Sequence, residues 1–337
     1  MQVANNMVRG KASREQVRIY SDAVRNVQPV RMNSHLHCAG NVRSTFGVRS
    51  RPGGSRVACD GRPTFQQREG IIVTNYEGLW WAAGGAESGW GINFAHQGDV
   101  IFATWFTYNV KGKAWWLTMT AYKSADGVYS GDLFRTNGAP FSAYVPPATG
   151  TLIGTGTLTF SSATTGTFAY AVNDGANVAT QTKTIELQTF GPVPTCVWGA
   201  QSDLTLATNY QDLWWASGGN EPGWGVNLTQ QGAIIFATWF TYDASRDPLW
   251  LSATTPQTAP NTFGGMLYLT TGPAFNAVPF DPSTVTGTAV GLATFKFTNG
   301  NSGTFTYNVD LGDGANKATQ SKAITRQVFR APGTVCR

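Results

Sequence analysis

The chain has 337 residues, 42% hydrophobic and only 13% charged, with 39 glycines, 19 phenylalanines and 12 tryptophans. That mix suits β-sheet joined by tight turns, and the absence of any run of 18 apolar residues argues against a membrane-spanning helix. The net charge of +5 is unevenly placed: residues 1–74 hold 12 basic and 4 acidic residues, and residues 75–337 hold 12 basic and 15 acidic, so the body lacks the basic stripe of a nucleic-acid surface.

Residues 1–74 read as a basic, largely disordered leader. Its first 30 residues lack the apolar core of a secretory signal. The four cysteines, Cys38, Cys59, Cys196 and Cys336, point instead to an oxidising compartment. The expectation is a body built for export, secreted or periplasmic, behind an atypical or misassigned start. Four cysteines allow three pairings. Cys59–Cys196 or Cys196–Cys336 would tie the ends of a barrel, and spacing leaves both open.

From residue 75 the chain repeats itself. Residues 75–117 align with 209–251 at a constant offset of 134, without gaps, and 25 of the 43 positions are identical. Later pairs drift, with "TGTFAY" and "SGTFTY" 137 apart and "DGANVATQTK" and "DGANKATQSK" 139 apart. Insertions of this size belong in loops. The unit is too long for a propeller blade or solenoid repeat. It reads as a whole domain, duplicated: residues 75–197 and then 198–337.

The first unit opens on the short "LWWA" segment, followed by "GWGINFAHQ", in which Trp90, Ile92 and Phe94 share one face and Gly91, Asn93 and Ala95 the other. "DVIFATWFTYN" sets Val100, Phe102, Thr104, Phe106 and Tyr108 against Ile101, Ala103, Trp105 and Thr107. "KAWWLTMTAY", "VYSGDLFRTN", "GTLTFSS", "GTFAYAV" and "TKTIELQTF" follow, with short connections such as "HQGD" and "NDGAN". No stretch carries a helical stripe. The predicted fold is all-β: two tandem antiparallel meander barrels or sandwiches of about eight strands each. An eight-stranded barrel is filled by side chains or holds one small ligand.

The motif "LWW…ESGWG…N…QGD…FATWFTY…WWL" resembles a recurrent family of bacterial, mostly exported proteins with no assigned activity. The likeness covers residues 75–337 and implies export and an all-β module. The glycine–tryptophan start also resembles lipocalin and avidin barrels.

Chemistry is placed on a few residues. In the paired "E-x-G-W-G", Glu87 and Glu221 stand beside an indole, where desolvation would raise a carboxylate toward a usable acid or base. The competing assignment is a turn cap, or an ion pair with a lysine such as Lys183 or Lys322. The flanking glycines would let another backbone or a ligand come close. Trp81, Trp90, Trp105 and Trp116 recur as Trp215, Trp224, Trp239 and Trp250. Most belong to a core, and the remainder would line a cup in which Asn93 and Asn227 orient a ligand. Asp174, Asn177, Asp313 and Asn316, in the repeated Asp-Gly turns, offer hard oxygens of the kind calcium takes, although Asp-Gly is equally the favoured hairpin turn.

The body has one histidine, His96, replaced by Gln230 in the second unit, so a zinc site built on several imidazoles is not supported. There is no G-x-S-x-G elbow, P-loop or dinucleotide fingerprint. The leading expectation is a protein binding a small amphiphilic or saccharide ligand in aromatic-lined pockets. Behind it stand a hydrolase of a small ester, lactone (an acyl-homoserine lactone, for example) or glycoside, with Glu87, Glu221 or a calcium-bound water as its base, and a structural or surface-adhesion protein.

Overall fold

A computed structural model describes residues 74–337. The leader before Thr74, with Cys38 and Cys59, lies outside the described residues. Each repeat closes into an eight-stranded antiparallel barrel whose strands pair in chain order. The first holds β1 (Gly78–Ala82), β2 (Gly91–Gln97), β3 (Val100–Tyr108), β4 (Ala114–Ala125), β5 (Val128–Asn137), β6 (Thr149–Phe160), β7 (Thr165–Asp174) and β8 (Asn177–Leu187). A short β9 (Cys196–Trp198) lies in the connection. The second barrel holds β10 (Asp212–Ala216), β11 (Gly225–Gln231), β12 (Ile234–Tyr242), β13 (Pro248–Ala259), β14 (Thr262–Thr271), β15 (Thr286–Asn299), β16 (Ser302–Asp310) and β17 (Lys317–Arg326), and a short β18 (Thr334–Cys336) follows it.

The barrels are filled, not hollow. One end of the first is closed by Tyr76 stacked on Phe160, with ring centroids 3.7 Å apart. Trp80 lies against Phe160 and Phe94, and its indole N–H donates to Tyr76 O at 3.0 Å. The second barrel repeats this with Tyr210 stacked on Phe297 at 3.7 Å and Trp214 donating to Tyr210 O at 2.9 Å. Each such ring, taken fully out of water, contributes about 1.5–3 kcal/mol. Closure also removes most of the strand edges that invite association.

Alternation in β2, β3, β11 and β12 does not separate core from solvent, because both faces are buried. Trp105 points inward, against Phe168 and Tyr170. Phe106 points outward and meets Phe240 and Trp250 of the other barrel. Trp116 meets Phe240 and Tyr242 in return. The contact is reciprocal: Trp116 Nε1 donates to Thr241 O at 3.0 Å, and Trp250 Nε1 donates to Thr107 O at 2.8 Å. Exchanging each residue for its counterpart 134 positions away in the other repeat turns one pair into the other, so the two barrels meet as the halves of an isologous dimer do.

Loops extend the exchange. The segment after β5 crosses to the second barrel, where Phe141 packs on Trp239 and Tyr307. The segment after β14 crosses to the first, where Phe275 packs on Trp105, Trp115 and Tyr170. Phe141 N–H donates to Tyr242 O, and Phe275 N–H to Tyr108 O. Tyr307 and Tyr170 donate their hydroxyls to the carbonyls of those phenylalanines. Each barrel is thus capped by a loop of its twin. At the other end Gln97 Oε1 accepts from Phe329 N and Arg330 N, while Gln231 Oε1 accepts from Phe190 N and Gly191 N. Finally β9 pairs with β18, and a disulfide joins Cys196 to Cys336 across them. Of the two pairings left open by spacing, this is the one the fold makes.

Candidate functional site: a cleft at the mouth of the first barrel

The E-x-G-W-G motif follows β1 and β10, where the chain leaves the barrel wall in a single helical turn before returning as β2 or β11. Its first glycine has no alternative. Gly89 and Gly223 have φ of +138° and +108°, and a Cβ on either would collide with the loop crossing from the other barrel, at Val285 and Ala148 respectively. The close approach expected of these glycines is real, and the neighbour is the twin barrel's loop.

The glutamates are held in place from two sides. Glu87 Oε2 accepts from Trp90 Nε1 at 3.0 Å, and its Oε1 takes the Lys183 ammonium at 2.9 Å. Glu221 takes Trp224 Nε1 at 3.1 Å and Lys322 Nζ on both oxygens at 2.9 Å. The ion-pair assignment is therefore the one present, in both units and with the lysines named. A carboxylate spoken for by an indole and an ammonium is a positioned charge pair rather than a free base.

The predicted aromatic site residues do not converge. Trp105 and Trp239 are buried beneath the crossing loops, and Trp116 and Trp250 are buried between the barrels. Trp90 is buried, Trp224 partly so, each bound to its glutamate, and Trp81 and Trp215 are half-buried on the wall. Asn93 sits opposite Thr104 in register, on the face β3 turns to the other barrel. Its amide finds no protein partner among the described residues, and Asn227 Nδ2 likewise finds none. At Trp116 and Trp250 the repetition that suggested a cup is the repetition of an interface, and at Trp105 and Trp239 it is the repetition of a core. A buried indole gives the same sequence signal in either place.

The calcium set does not fit a cation. Asp174 is paired with Arg135 at 3.0 Å, and Asn177 Oδ1 accepts from Val110 N. Asp313 accepts from Ala315 N, Asn316 N and Asn316 Nδ2, and Asn316 Oδ1 accepts from Ala244 N. The four oxygen donors are spent on an arginine, on their own turns and on the β3–β4 or β12–β13 hairpin of the same barrel. Among the described residues no three His, Cys, Asp or Glu side chains gather as a metal site.

What the fold does form is a cleft of about 390 Å³ between the first barrel and the loop from the second. One wall is Ala82, Ala83, Ala86 and Glu87, the floor is Gln181–Thr184 of β8, and the outer wall is Ala277–Phe280. Lys183 and Glu87 meet on its inner side. Beside the twin pair, Glu221–Lys322, the void is only about 10 Å³. Tyr144, three residues past Phe141, lines that void and donates its hydroxyl to Pro222 O at 3.2 Å. Three residues past Phe275 stands Val278, which is 82% exposed and reaches no such partner. Apart from Glu87, no residue expected to bind ligand lines the cleft. The clue was present in the unmatched loop residues, "SAYVPP" against "NAVPFD", where the repeats diverge.

A second polar cluster lies at the opposite end. Tyr76 N–H donates to His96 Nδ1 at 2.9 Å, so the ring proton is on Nε2, which faces Gly98 O at 3.0 Å. Burial lowers the imidazole pKa to about 4, so His96 is neutral at pH 7. Glu77 accepts from His96 N at 2.6 Å. Burial, then the nearby Asp212 carboxylate, push it well above the usual carboxylate range. Arg326 answers Asp212 at 3.0 Å, with both side chains almost wholly buried. It also donates to Gly300 O, Gln211 O and Asn209 O and lies 5.1 Å from the Trp214 ring. The cluster is satisfied and closed to solvent, as a structural ion pair must be.

Comparison with protein-family models, with curated proteins and with solved structures finds no match to this chain. The likeness carried by the LWW…ESGWG…FATWFTY motif therefore rests on its residues alone.

Proposed function

We propose that the tandem barrel is an exported binding protein that takes a small amphiphilic or saccharide ligand in the cleft of its first barrel. The observation that carries this reading is the asymmetry of two otherwise matched sites. The Glu–Lys pair is built twice, yet one copy opens on about 390 Å³ and the other on about 10 Å³. The larger volume is within the range of small-molecule sites. Its lining also suits such a ligand. Ala82, Ala83, Ala86, Pro279 and Phe280 offer an apolar surface, and the Glu87–Lys183 pair offers an acceptor and a donor side by side. Hydroxyls can give to the carboxylate and accept from the ammonium, while the ring or chain covers the apolar wall. Export is supported by the Cys196–Cys336 disulfide.

The test is a panel of saccharides and short amphiphiles against the full chain, followed by titration calorimetry. Val278→Tyr, which gives the first barrel's cleft the counterpart of the Tyr144 phenol that lines the second site, should weaken binding by about tenfold or more, the weight of filling an apolar pocket. A panel member that binds the variant as well as the parent does not occupy this cleft, and a panel with no binder ends the proposal.

A further inference from the structure

The cleft runs along a strand edge that the barrel leaves open. On one side β8 pairs with β7 along its length, from Asn177 to Glu186. On the other it pairs with β1 only at Ile185, Glu186 and Leu187, because the chain turns away after Ala82. Two bonds fix which residues face that second side. Gln188 N–H donates to Leu79 O of β1, and Val178 O accepts from the Asn276 side-chain amide at 3.1 Å. Leu187 N–H, of opposite parity, donates across to Thr164 O beside β7. Backbone groups alternate along a strand, so Thr180, Thr182 and Thr184 turn their N–H and C=O toward the side where β1 has ended. Thr182 and Thr184 line the cleft.

The outer wall does not pair with them. Ala277 N–H is used within its own loop, on Ala274 O, and Pro279 has no N–H to give. Among the described residues no backbone hydrogen bond joins Ala277–Phe280 to Thr180–Thr184. One peptide-like group is already seated on this edge, the Asn276 carboxamide on Val178 O. The same loop takes Gln181 Nε2 on Asn276 O at 3.0 Å.

We propose that this edge accepts an extended peptide segment as an added strand, lying between β8 and the Ala277–Phe280 wall. From Thr180 to Thr184 the edge spans about 13 Å at ~3.3 Å per residue, enough for four or five peptide residues. Backbone amides supply the pairing, and alternate peptide side chains reach the Glu87–Lys183 pair. The inference rests on the cleft being a binding site and narrows its ligand to one that carries peptide amides.

Amide hydrogen exchange on the full chain is the first test. Thr180, Thr182 and Thr184 should exchange at least about tenfold faster than Gln181, Lys183 and Ile185, which pair with β7. Slow exchange at all six means the edge is already paired, and the proposal fails. The second test is capture from an immobilised pool of random N-acetylated octapeptides, with the Val278→Tyr chain as control. The enriched peptides should protect Thr182 and Thr184. N-methylation should abolish their binding at every second amide and be tolerated at the amides between. Equal tolerance at all positions, or no enrichment over the control, overturns strand addition. Thr182→Pro removes one edge donor at a place where a strand edge accepts proline, and it should lose the peptides. If saccharides or amphiphiles bind the parent and Thr182→Pro alike while peptides do not bind, only the strand-addition inference falls.

Discussion

The two barrels differ least along the strand face they share and most at their ends. Phe102–Tyr108 and Phe236–Tyr242 are identical, and these segments form the mutual face together with Trp116 and Trp250. Away from that face the copies part. Glu77 and His96 in one are Gln211 and Gln230 in the other; Gly78 and Leu187 are Asp212 and Arg326; Val278 stands where the other loop has Tyr144. An isologous face must complement itself, so a change on one side is tested against both. The cleft and the buried polar ends each join unlike partners from the two repeats, so no self-complementarity constrains them. The site worth probing lies where the repeat breaks, not where it is most exact.

The sharpest way to break the comparison is at the shared face. Trp116→Ala and Trp250→Ala should each cost about 3–5 kcal/mol, since each empties a fully packed indole site and leaves a carbonyl unpaired. Chemical denaturation should return similar values for the two. Values differing by more than about 1.5 kcal/mol would mean the face is not energetically symmetric. Next is the ion pair that only the second barrel carries. Arg326→Leu, which copies the first barrel, should cost about 3–5 kcal/mol because Asp212 is left buried and alone. Adding Asp212→Gly, also the first barrel's residue, should recover at least about 1 kcal/mol, read from the same denaturation curves.

The pH dependence separates the barrels as well. His96 has a folded pKa of about 4 against about 6.5 unfolded. The unfolded chain therefore binds the extra proton first, and stability falls as pH drops from about 6.5 to about 4, by about 3 kcal/mol in all. Glu77 acts with the opposite sign, its raised pKa withdrawing stability as pH climbs above the unfolded value, so a single profile mixes the two. His96→Gln isolates the first. Gln230 already makes the same bonds in the second barrel, accepting from Tyr210 N at 2.7 Å and donating to Gly232 O at 3.1 Å. The difference between parent and variant, followed by thermal melts, should be flat above pH 6.5 and open between 6.5 and 4. A flat difference throughout means that His96 does not govern acid stability.

Much of this architecture was legible in the chain. Period-two alternation, Asp-Gly turns and the 134-residue offset define two eight-stranded units. The lysine partners of Glu87 and Glu221 were also within reach, since each glutamate and lysine recurs with its twin. The clasp was not legible. Phe106 and Trp116 read as a second apolar face, and a ligand cup and a partner barrel present the same requirement to a strand. Nor was the cleft, because it depends on where β1 stops and on a loop about a hundred residues away in sequence. The Asp-Gly turns carried an ambiguity between calcium and hairpin that only the geometry of Asp313 and Asn316 resolves, with their oxygens turned to backbone amides.

The smallest expected effect is at the glutamates themselves. Lys183 meets one oxygen of Glu87, whereas Lys322 meets both of Glu221. All four side chains are partly solvated, so each pair contributes on the scale of a screened surface bridge, about 0.2–1 kcal/mol. Glu221→Gln should then destabilise slightly more than Glu87→Gln, and both should fold, since glutamine can still accept from the indole N–H of Trp90 or Trp224. Equal binding defects in the two single variants would place ligand at both pairs and contradict the sealed second site. A defect confined to Glu87→Gln would locate recognition in the open cleft. The double variant Glu87→Gln/Glu221→Gln adds the chemical arm. If an ester or lactone is turned over by the parent, and the double variant binds it but no longer turns it over, then the pair performs hydrolysis. Loss of binding without any turnover in the parent keeps the pair as a recognition element.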